Sequence, residues 1–185
     1  MHSAYRILVP LTACLLAVTV VLLGQQQTAE KLAPYFPTPE FVVNKWLELG
    51  ELKAGELHYD LGSGDGRVVI MAAQKFHARS IGYEIDDDLY KKSMARIQEL
   101  GLQKLATIVK DDLMKADFAK PDVVTVYLLP ESNNKIQPLL EKSMRKGSRV
   151  VSHDFAFKNW QAEKTLNIED NGEDSRGHTL YLYRR

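Results

Sequence analysis

Apolar residues recur along this chain in short runs, and between most of these runs the apolar positions fall three or four apart. Short runs rich in β-branched residues are typical of buried strands, and the wider spacing is typical of helices packed on a sheet. The predicted strands are residues 57–60, 78–86, 106–113, 122–131, 149–154, 165–168 and 179–183. The predicted helices are residues 39–49, 67–76, 88–100 and 133–144. Helices that alternate with strands predict an α/β fold with a mostly parallel sheet.

Both ends of this pattern are marked by residues with a clear local preference. Thr38 is a candidate N-cap followed by Pro39 at the first helical position, and Gly50 ends that helix. The last two apolar runs flank Asn171 and Gly172, a pair typical of a tight turn, and therefore predict an antiparallel hairpin. The expected fold class is a Rossmann-like, doubly wound, seven-stranded sheet that closes with a C-terminal hairpin.

The N-terminus carries a different pattern, an uninterrupted apolar run without charge at residues 7–23. A helix of this length reaches about 25 Å, slightly less than a typical hydrocarbon core. It can be a transmembrane anchor or a cleaved signal peptide, and the lack of a small-residue cleavage site after Leu23 favours the anchor. The predicted organisation is an anchor or signal segment at 1–24, a linker at 25–37 and a folded domain at 38–185, which predicts a single-pass membrane protein.

The most informative chemistry lies directly after the strand at 57–60, in the glycine-dense turn at residues 62–66. Its three glycines allow positive φ and a close approach of the backbone to a ligand, and the following helix start offers unpaired N–H groups. Two carboxylates, Asp60 and Asp65, accompany the turn. They would repel a pyrophosphate but would hold a ligand with an ammonium group and ribose hydroxyls. The turn therefore predicts S-adenosylmethionine as the ligand.

Other phosphate-binding turns do not fit this spacing. A dinucleotide fingerprint needs a third glycine at its sixth position, where this chain has Arg67, since Gly66 comes one place early. An NTPase loop needs a Gly-Lys-Ser/Thr ending, which is missing here. The remaining alternative is a tight strand-to-helix turn without a ligand.

Acidic residues also end the next two strands. Glu84 lies twenty-four positions after Asp60, where a carboxylate can accept hydrogen bonds from both ribose hydroxyls. Asp111 and Asp112 end the third strand, where a carboxylate can accept a hydrogen bond from the adenine amine. We favour Asp112, although either aspartate taken alone can equally be a solvated loop residue.

Together these motifs resemble a known family. Its segments occur here in one order as Pro34-Tyr35-Phe36-Pro37-Thr38-Pro39, Asp60-Leu61-Gly62-Ser63-Gly64-Asp65-Gly66-Arg67, Gly82-Tyr83-Glu84, Asp112-Leu113 and Arg149-Val150-Val151-Ser152, with Trp160 after them. The chain resembles, over about residues 33–162, the single-span, membrane-anchored protein lysine methyltransferases with a class I fold. The eukaryotic members of that family methylate the adenine nucleotide translocase and the c-subunit of ATP synthase in mitochondria.

The resemblance implies S-adenosyl-L-methionine as cofactor, a class I methyltransferase domain at 38–185 and a lysine acceptor on a protein at a membrane. It also implies that Tyr35 and Thr38 line the cofactor site. The complete predicted cofactor-binding set is Tyr35, Thr38, Asp60, Gly62, Ser63, Gly64, Asp65, Gly66, Glu84, Ile85, Asp111, Asp112 and Leu113.

A lysine acceptor requires help, because deprotonating an amine with a pKa near 10.4 at pH 7 costs about 4–5 kcal/mol. Candidates to supply that help follow the carboxyl ends of the central strands. They are Tyr127, Glu131, His153 and Asp154. The Asn/Asp-Pro-Pro-Tyr signature of amide and base-amine methylation is missing from the sequence, which weighs against DNA, RNA or glutamine as acceptor.

Composition limits the remaining choices. The 24 basic and 24 acidic residues give a net charge of zero, so nucleic acid is not expected as the main partner. Cys14 is the sole cysteine, which excludes disulfides within the chain and cysteine-ligated metals, and the five histidines show no ligand spacing. We expect no metal and a monomer.

Two alternatives to a protein lysine methyltransferase stay open. One is a methyltransferase for a small or lipid-like molecule, and the other is a non-catalytic module that binds an adenosine ligand. The lone Arg6 would place the domain outside the cytoplasm, whereas the supply of S-adenosylmethionine favours a cytoplasmic catalytic domain, which we expect.

Overall fold

The computed structural model describes residues 31–169 and 176–185. Its strands are β1 Leu57–Leu61, β2 Arg79–Glu84, β3 Ala106–Lys110, β4 Val123–Val126, β5 Arg149–His153, β6 Lys164–Ile168 and β7 His178–Arg184. Its helices are α1 Glu40–Leu49, α2 Arg67–Phe76, α3 Asp87–Glu99 and α4 Pro130–Ser143, and a short 3-10 turn covers Leu113–Lys115. The pattern of apolar residues predicted the presence of each of these strands and α-helices. The predicted strands 78–86, 106–113 and 122–131 were too long, because the chain leaves the sheet after Glu84, Lys110 and Val126 and α4 already begins at Pro130.

One seven-stranded sheet organises these elements, in the order β3-β2-β1-β4-β5-β7-β6. Strands β1 to β5 pair in parallel, and β7 runs antiparallel to both β5 and β6. The predicted mostly parallel sheet with a C-terminal hairpin is confirmed. The predicted turn at Asn171 and Gly172 lies outside the described residues.

Helices cover both faces of the sheet, as expected for a doubly wound fold. On one face α1 and α2 pack on β4, β5 and β7, for example through Trp46 and Val151. On the other face α4 packs through Ile136 and Leu140 on Val124 and its neighbours. The central strands are buried on both sides, which explains their continuous apolar sequence.

The start of α1 differs from the prediction. The helix begins at Glu40 with Pro39 in the cap position, and no side chain caps its first N–H groups. The Thr38 hydroxyl instead lies 3.3 Å from Nδ1 of His153 on the neighbouring strand β5. The prediction of Thr38 as an N-cap is therefore wrong, because a buried tertiary hydrogen bond takes its side chain.

The predicted membrane localisation, with its single-pass transmembrane helix, is corrected by the structure. Among residues 31–169 and 176–185, no helix has both the length and the apolar character needed to cross a bilayer. The apolar run at 7–23, on which the prediction of an anchor depends, lies outside the described residues.

The strand order also indicates where a ligand binds. The chain runs outward from β1 through β2 to β3 and then crosses back to β4 on the other side of β1, so the strand order reverses between β1 and β4. In open α/β sheets, ligands bind beyond the carboxyl ends of the strands at such a switch point. The glycine-dense turn at 62–66 follows β1 at this point.

Candidate functional site

A cavity of about 270 Å³ opens at the carboxyl ends of the central strands. Its walls come from the segment 31–38, the glycine-dense turn and the residues that follow β2, β3 and β4. The predicted residues that line it are Tyr35, Thr38, Asp60, Gly62, Ser63, Gly64, Asp65, Glu84, Ile85, Asp111, Asp112, Leu113 and Tyr127. Residues 31–37, which belong to the predicted linker, form part of this wall.

The backbone of the glycine-dense turn requires glycine for two separate reasons. Gly62, Gly64 and Gly66 have φ of 80°, 55° and 78°, a region that L-residues with a side chain rarely adopt. In addition, a Cβ at Gly64 would lie 2.8 Å from the ring of Tyr35. The turn therefore presents bare backbone to the cavity beneath an aromatic ring.

Glu84 fixes this turn to the end of β2. Its Oε2 accepts a hydrogen bond of 2.7 Å from the backbone N–H of Gly64, and its Oε1 accepts bonds from the N–H groups of Ile85 and Asp86 at 2.9 and 2.8 Å. The side chain is buried, yet it lines the cavity. Since each carboxylate oxygen has two lone pairs, the two bonds to Oε1 fill its acceptor positions, and Oε2 keeps one position for a hydroxyl of a ligand.

Asp60 lies deeper, at the floor of the cavity. Its Oδ1 accepts a hydrogen bond of 2.7 Å from the Thr125 hydroxyl. Burial raises the pKa of Asp60 to about 7, and the charges of Glu84 and Asp65 act in the same direction. A cation at this point would favour the ionised carboxylate, because an opposite charge lowers the pKa of an acid.

Asp65 has a different partner from the one its sequence position suggested. Both of its carboxylate oxygens accept hydrogen bonds from Arg67, from Nε at 2.9 Å and from Nη2 at 2.8 Å. Arg67 also donates to the carbonyl of Thr38 at 2.8 Å, so the pair connects α2 to the segment before α1. The structure therefore gives this carboxylate a bracing contact at the cavity wall, while its backbone belongs to the glycine-dense turn.

The acids after β3 also differ from one another. Oδ1 of Asp112 accepts a hydrogen bond of 2.9 Å from the N–H of Met114 and starts the 3-10 turn. Asp111 is exposed and forms an ion pair of 3.0 Å with Lys115. Leu113 is buried beside them. Both aspartates line the cavity, and the preference for Asp112 stays a prediction.

These features fit S-adenosylmethionine chemically. The cavity has three features: the buried acid Asp60, the ring of Tyr35, and a backbone cradle at Gly64. A Cβ at Gly64 would fill this cradle. The two acids Asp60 and Glu84 suit an ammonium group and ribose hydroxyls, and apolar Leu113 and Ile85 suit a nucleobase face.

Beside the cavity, Tyr127 joins a polar cluster with Asp154 and Arg176, which we call the Tyr127 cluster. The Tyr127 hydroxyl donates to Oδ2 of Asp154 at 3.0 Å and accepts from Nη2 of Arg176 at 3.0 Å. Arg176 also contacts Asp154 at 3.2 Å. Burial raises the pKa of Tyr127 above its usual value, so the hydroxyl keeps its proton at neutral pH.

Behind this cluster lie two fully buried histidines. Nε2 of His153 lies 2.9 Å from Nδ1 of His178 and 3.5 Å from Oδ1 of Asp154. Burial acts to raise the pKa of Asp154, but His153, the N–H of Thr179 and Tyr127 together hold that pKa below its usual range. Sequence spacing did not reveal this cluster, because His178 and Arg176 lie on or beside β7, which pairs with β5.

The side chains of His153, Asp154 and His178 lie close enough for a cation, with ligand atoms within 4.8 Å of one another. However, Oδ1 of Asp154 already accepts from the N–H of Thr179, and Oδ2 already accepts from Tyr127 and Arg176. The guanidinium of Arg176 supplies the positive charge that a metal would bring. We interpret the group as a hydrogen-bond network.

Glu131 is separate from the other acceptor-site candidates. It lies exposed in the first turn of α4, and among the described residues it does not line the cavity. Of the four candidates, Tyr127 lines the cavity, and His153 and Asp154 lie behind it.

Two further features escaped the sequence analysis. His58, Thr125 and Ser80 form a buried hydrogen-bonded chain that ends at Asp60. Ser63 turns its hydroxyl toward Gly82 on β2 and away from solvent, and among the described residues its Oγ has no hydrogen-bond partner. Both features depend on contacts between strands that are distant in the chain.

Comparison with known proteins identifies the family. A sequence model of the ANTKMT methyltransferase domain matches residues 60–164. A protein-lysine N-methyltransferase from Saccharolobus islandicus is 39% identical over 151 residues, which cover 81% of this chain and 92% of that protein. A lysine N-methyltransferase of Rattus norvegicus, named for the ATP synthase c-subunit, is 31% identical over 132 residues, which cover 71% of this chain and 60% of the rat protein.

A solved structure shares both sequence and fold with the chain. It is an RNA methyltransferase from Salinibacter ruber in complex with S-adenosyl-L-homocysteine, with 41% identity and a TM-score of 0.74. The match covers 80% of this chain and 93% of the Salinibacter protein. All of these relatives are methyltransferases by name, which favours an enzyme over a non-catalytic adenosine-binding module.

Proposed function

Since the chain belongs to the ANTKMT methyltransferase family and is an S-adenosylmethionine-dependent protein-lysine N-methyltransferase, we propose that the cavity at 62–66 holds the cofactor and that Tyr127 receives the acceptor amine. The observation that carries this proposal is the hydrogen bond from the glycine-dense turn to Glu84, beside the buried Asp60. It supports one orientation for a ligand that carries both an ammonium group and a ribose.

In this proposal each cofactor-site residue has a separate task. Glu84 accepts from a ribose hydroxyl through Oε2, Asp60 holds the ammonium group and Asp112 accepts from the adenine amine. The ring of Tyr35 covers the turn at Gly64, where it lies too close for any side chain. When bound, the cofactor supplies an electrophilic methyl on a sulfonium. The protein then aligns the nucleophile with that methyl, and alignment of this kind contributes several kcal/mol.

The Tyr127 cluster supports a specific role toward the lysine amine. Because the Tyr127 proton is donated to Asp154 and Arg176 already donates to the oxygen, the hydroxyl has only an acceptor site left. Such an oxygen can bind an N–H of the neutral amine without occupying the nitrogen lone pair. The lone pair stays free for attack on the methyl, and the amine loses its proton to solvent before it docks.

Tyr127→Phe is expected to lower kcat about tenfold while leaving S-adenosylmethionine affinity unchanged, because it removes one hydrogen bond to the amine. Methyl transfer at saturating cofactor and calorimetric cofactor binding measure the two effects. Glu131→Gln is the matched control in the same region and should keep full activity. A Tyr127→Phe enzyme with normal kcat would remove Tyr127 from the acceptor site.

We further propose that the acceptor lysine belongs to a membrane or membrane-associated protein. Two relatives are named for the ATP synthase c-subunit and for adenine nucleotide translocase. The described residues have four exposed large apolar side chains, and three of them, Tyr35, Phe36 and Leu129, surround the cavity. An apolar rim favours an acceptor lysine that is flanked by apolar side chains.

RNA is the competing methyl acceptor, because the Salinibacter relative is named an RNA methyltransferase. A direct test offers the full-length protein methyl-labelled S-adenosylmethionine with three probes from the cells that make it: membrane proteins, water-soluble proteins and total RNA. Label in membrane proteins that elutes as methylated lysine after hydrolysis is the expected result. Label found in RNA alone would refute a protein acceptor and indicate RNA instead. Label found in water-soluble proteins alone would refute the proposal of a membrane-protein acceptor.

A further inference from the structure

A chain of hydrogen bonds runs beneath the cofactor side of the sheet. The Thr125 hydroxyl on β4 lies 2.7 Å from Oδ1 of Asp60 and 2.9 Å from Nε2 of His58 on β1. Nδ1 of His58 lies 2.7 Å from the hydroxyl of Ser80 on β2. The four side chains are 0% to 3% exposed, so no bulk solvent competes for these contacts.

A single arrangement of protons satisfies the chain. Asp60 accepts when ionised, so the Thr125 proton points to it and the Thr125 oxygen accepts from Nε2–H of His58. Nδ1 of His58 then accepts from the Ser80 hydroxyl. Burial lowers the pKa of His58 to about 3, so this histidine is neutral, as the arrangement requires. Side chains from three strands thus orient the Thr125 hydroxyl so that it donates to Oδ1 of Asp60.

We propose that Thr125 and His58 are positioning residues for the cofactor, because they fix one oxygen of Asp60 and leave the other directed to the ammonium group of S-adenosylmethionine. This inference rests on the proposed role of Asp60 as the acid that holds the ammonium. Neither Thr125 nor His58 is among the described residues that line the cavity, so in this proposal they act through Asp60.

The charges around Asp60 make its ionisation sensitive to the hydrogen bond from Thr125. Glu84 from β2 and Asp65 from the turn both disfavour the ionised form of Asp60, and Arg67 neutralises part of the Asp65 charge. His58 is neutral, so Thr125 is the described neighbour whose hydrogen bond favours ionisation. Loss of its hydroxyl therefore raises the pKa of Asp60, and the ionised fraction near pH 7 falls. Cofactor binding weakens most at the lower pH values.

The test measures S-adenosylmethionine affinity of the full-length protein by calorimetry between pH 6 and pH 8.5. Thr125→Val is expected to bind about tenfold more weakly at pH 7 and to approach the wild type at pH 8.5. Thr125→Ser keeps the hydroxyl and should bind like the wild type across the range. The titration of the cofactor's own amino group is common to all variants, so the difference from wild type isolates Asp60.

Thr107→Val on β3 is the matched control, since it makes the same change in the sheet outside this chain of hydrogen bonds. Uniform weakening of Thr125→Val at every pH would indicate a merely structural role, and unchanged binding would refute any role; either outcome overturns the proposal. Asp60→Asn separates the role of Thr125 from that of Asp60. If Asp60→Asn binds the cofactor normally, the proposed role of Asp60 itself fails. Thermal unfolding of each variant checks that it folds.

Discussion

Glu84→Ala is expected to abolish measurable S-adenosylmethionine binding, with affinity reduced about 100-fold or more. The substitution removes the proposed acceptor for a ribose hydroxyl and also frees the N–H groups of Gly64, Ile85 and Asp86. The glycine-dense turn then loses its connection to β2, so the cradle is no longer held in the geometry that the cofactor needs. Calorimetry at pH 8, where Asp60 is ionised, measures the effect without interference from that group.

Two variants show whether the loss comes from the ribose contact or from the turn. Glu84→Gln keeps one oxygen acceptor and should retain weak binding, while Glu99→Ala makes the same truncation at an exposed position and should bind normally. Near-normal binding by Glu84→Ala would show that the carboxylate neither holds the cofactor nor secures the turn.

Gly82→Ala is expected to destabilise the protein by about 3 kcal/mol and to weaken cofactor binding with it. A Cβ at this position would lie 2.5 Å from Oγ of Ser63, 2.6 Å from its Cβ and 2.7 Å from Cδ1 of Ile108. The N–H groups of Gly62 and Ser63 both donate to the carbonyl of Tyr83, so Cβ of Ser63 cannot move away without displacing the turn. Chemical denaturation measures the loss of stability.

A second substitution should relieve this clash. Ser63→Gly in the Gly82→Ala background removes two of the three close contacts, and it is expected to recover most of the lost stability. Ile108→Val in the same background removes the third contact and should recover less. A Gly82→Ala protein as stable as the wild type would contradict the close packing of the turn on β2.

Local signals explain why the sequence was informative about the cavity that we propose for the cofactor. Three glycines within residues 62–66 indicate a turn with positive φ without any tertiary information. Glu84 could be recognised as a candidate because it lies at the end of the next strand. Asp65 shows the limit of this reasoning, because its sequence position resembles that of Asp60 while its carboxylate contacts Arg67. Which of two nearby acids faces a ligand depends on rotamers and on neighbours that sequence position does not specify.

The residues of the proposed acceptor site were less predictable for a topological reason. Tyr127, His153 and Asp154 were found because they follow the ends of central strands. Their partners Arg176 and His178 come from the C-terminal hairpin, which meets β5 only through antiparallel pairing. Nothing in local spacing connects residue 127 with residue 176, so their contact could not be anticipated.

By itself, the sequence determined the strands and helices, their mostly parallel arrangement and the chemistry of the turn after β1, because hydrophobic period and glycine content act over a few neighbouring residues. Only the tertiary structure decided which side chains share a hydrogen bond. It aligned Ser80, His58 and Thr125 across three strands beneath Asp60, and it turned Thr38 away from its helix to His153. Such contacts follow from sheet order and register, which are set by the packing of the whole domain.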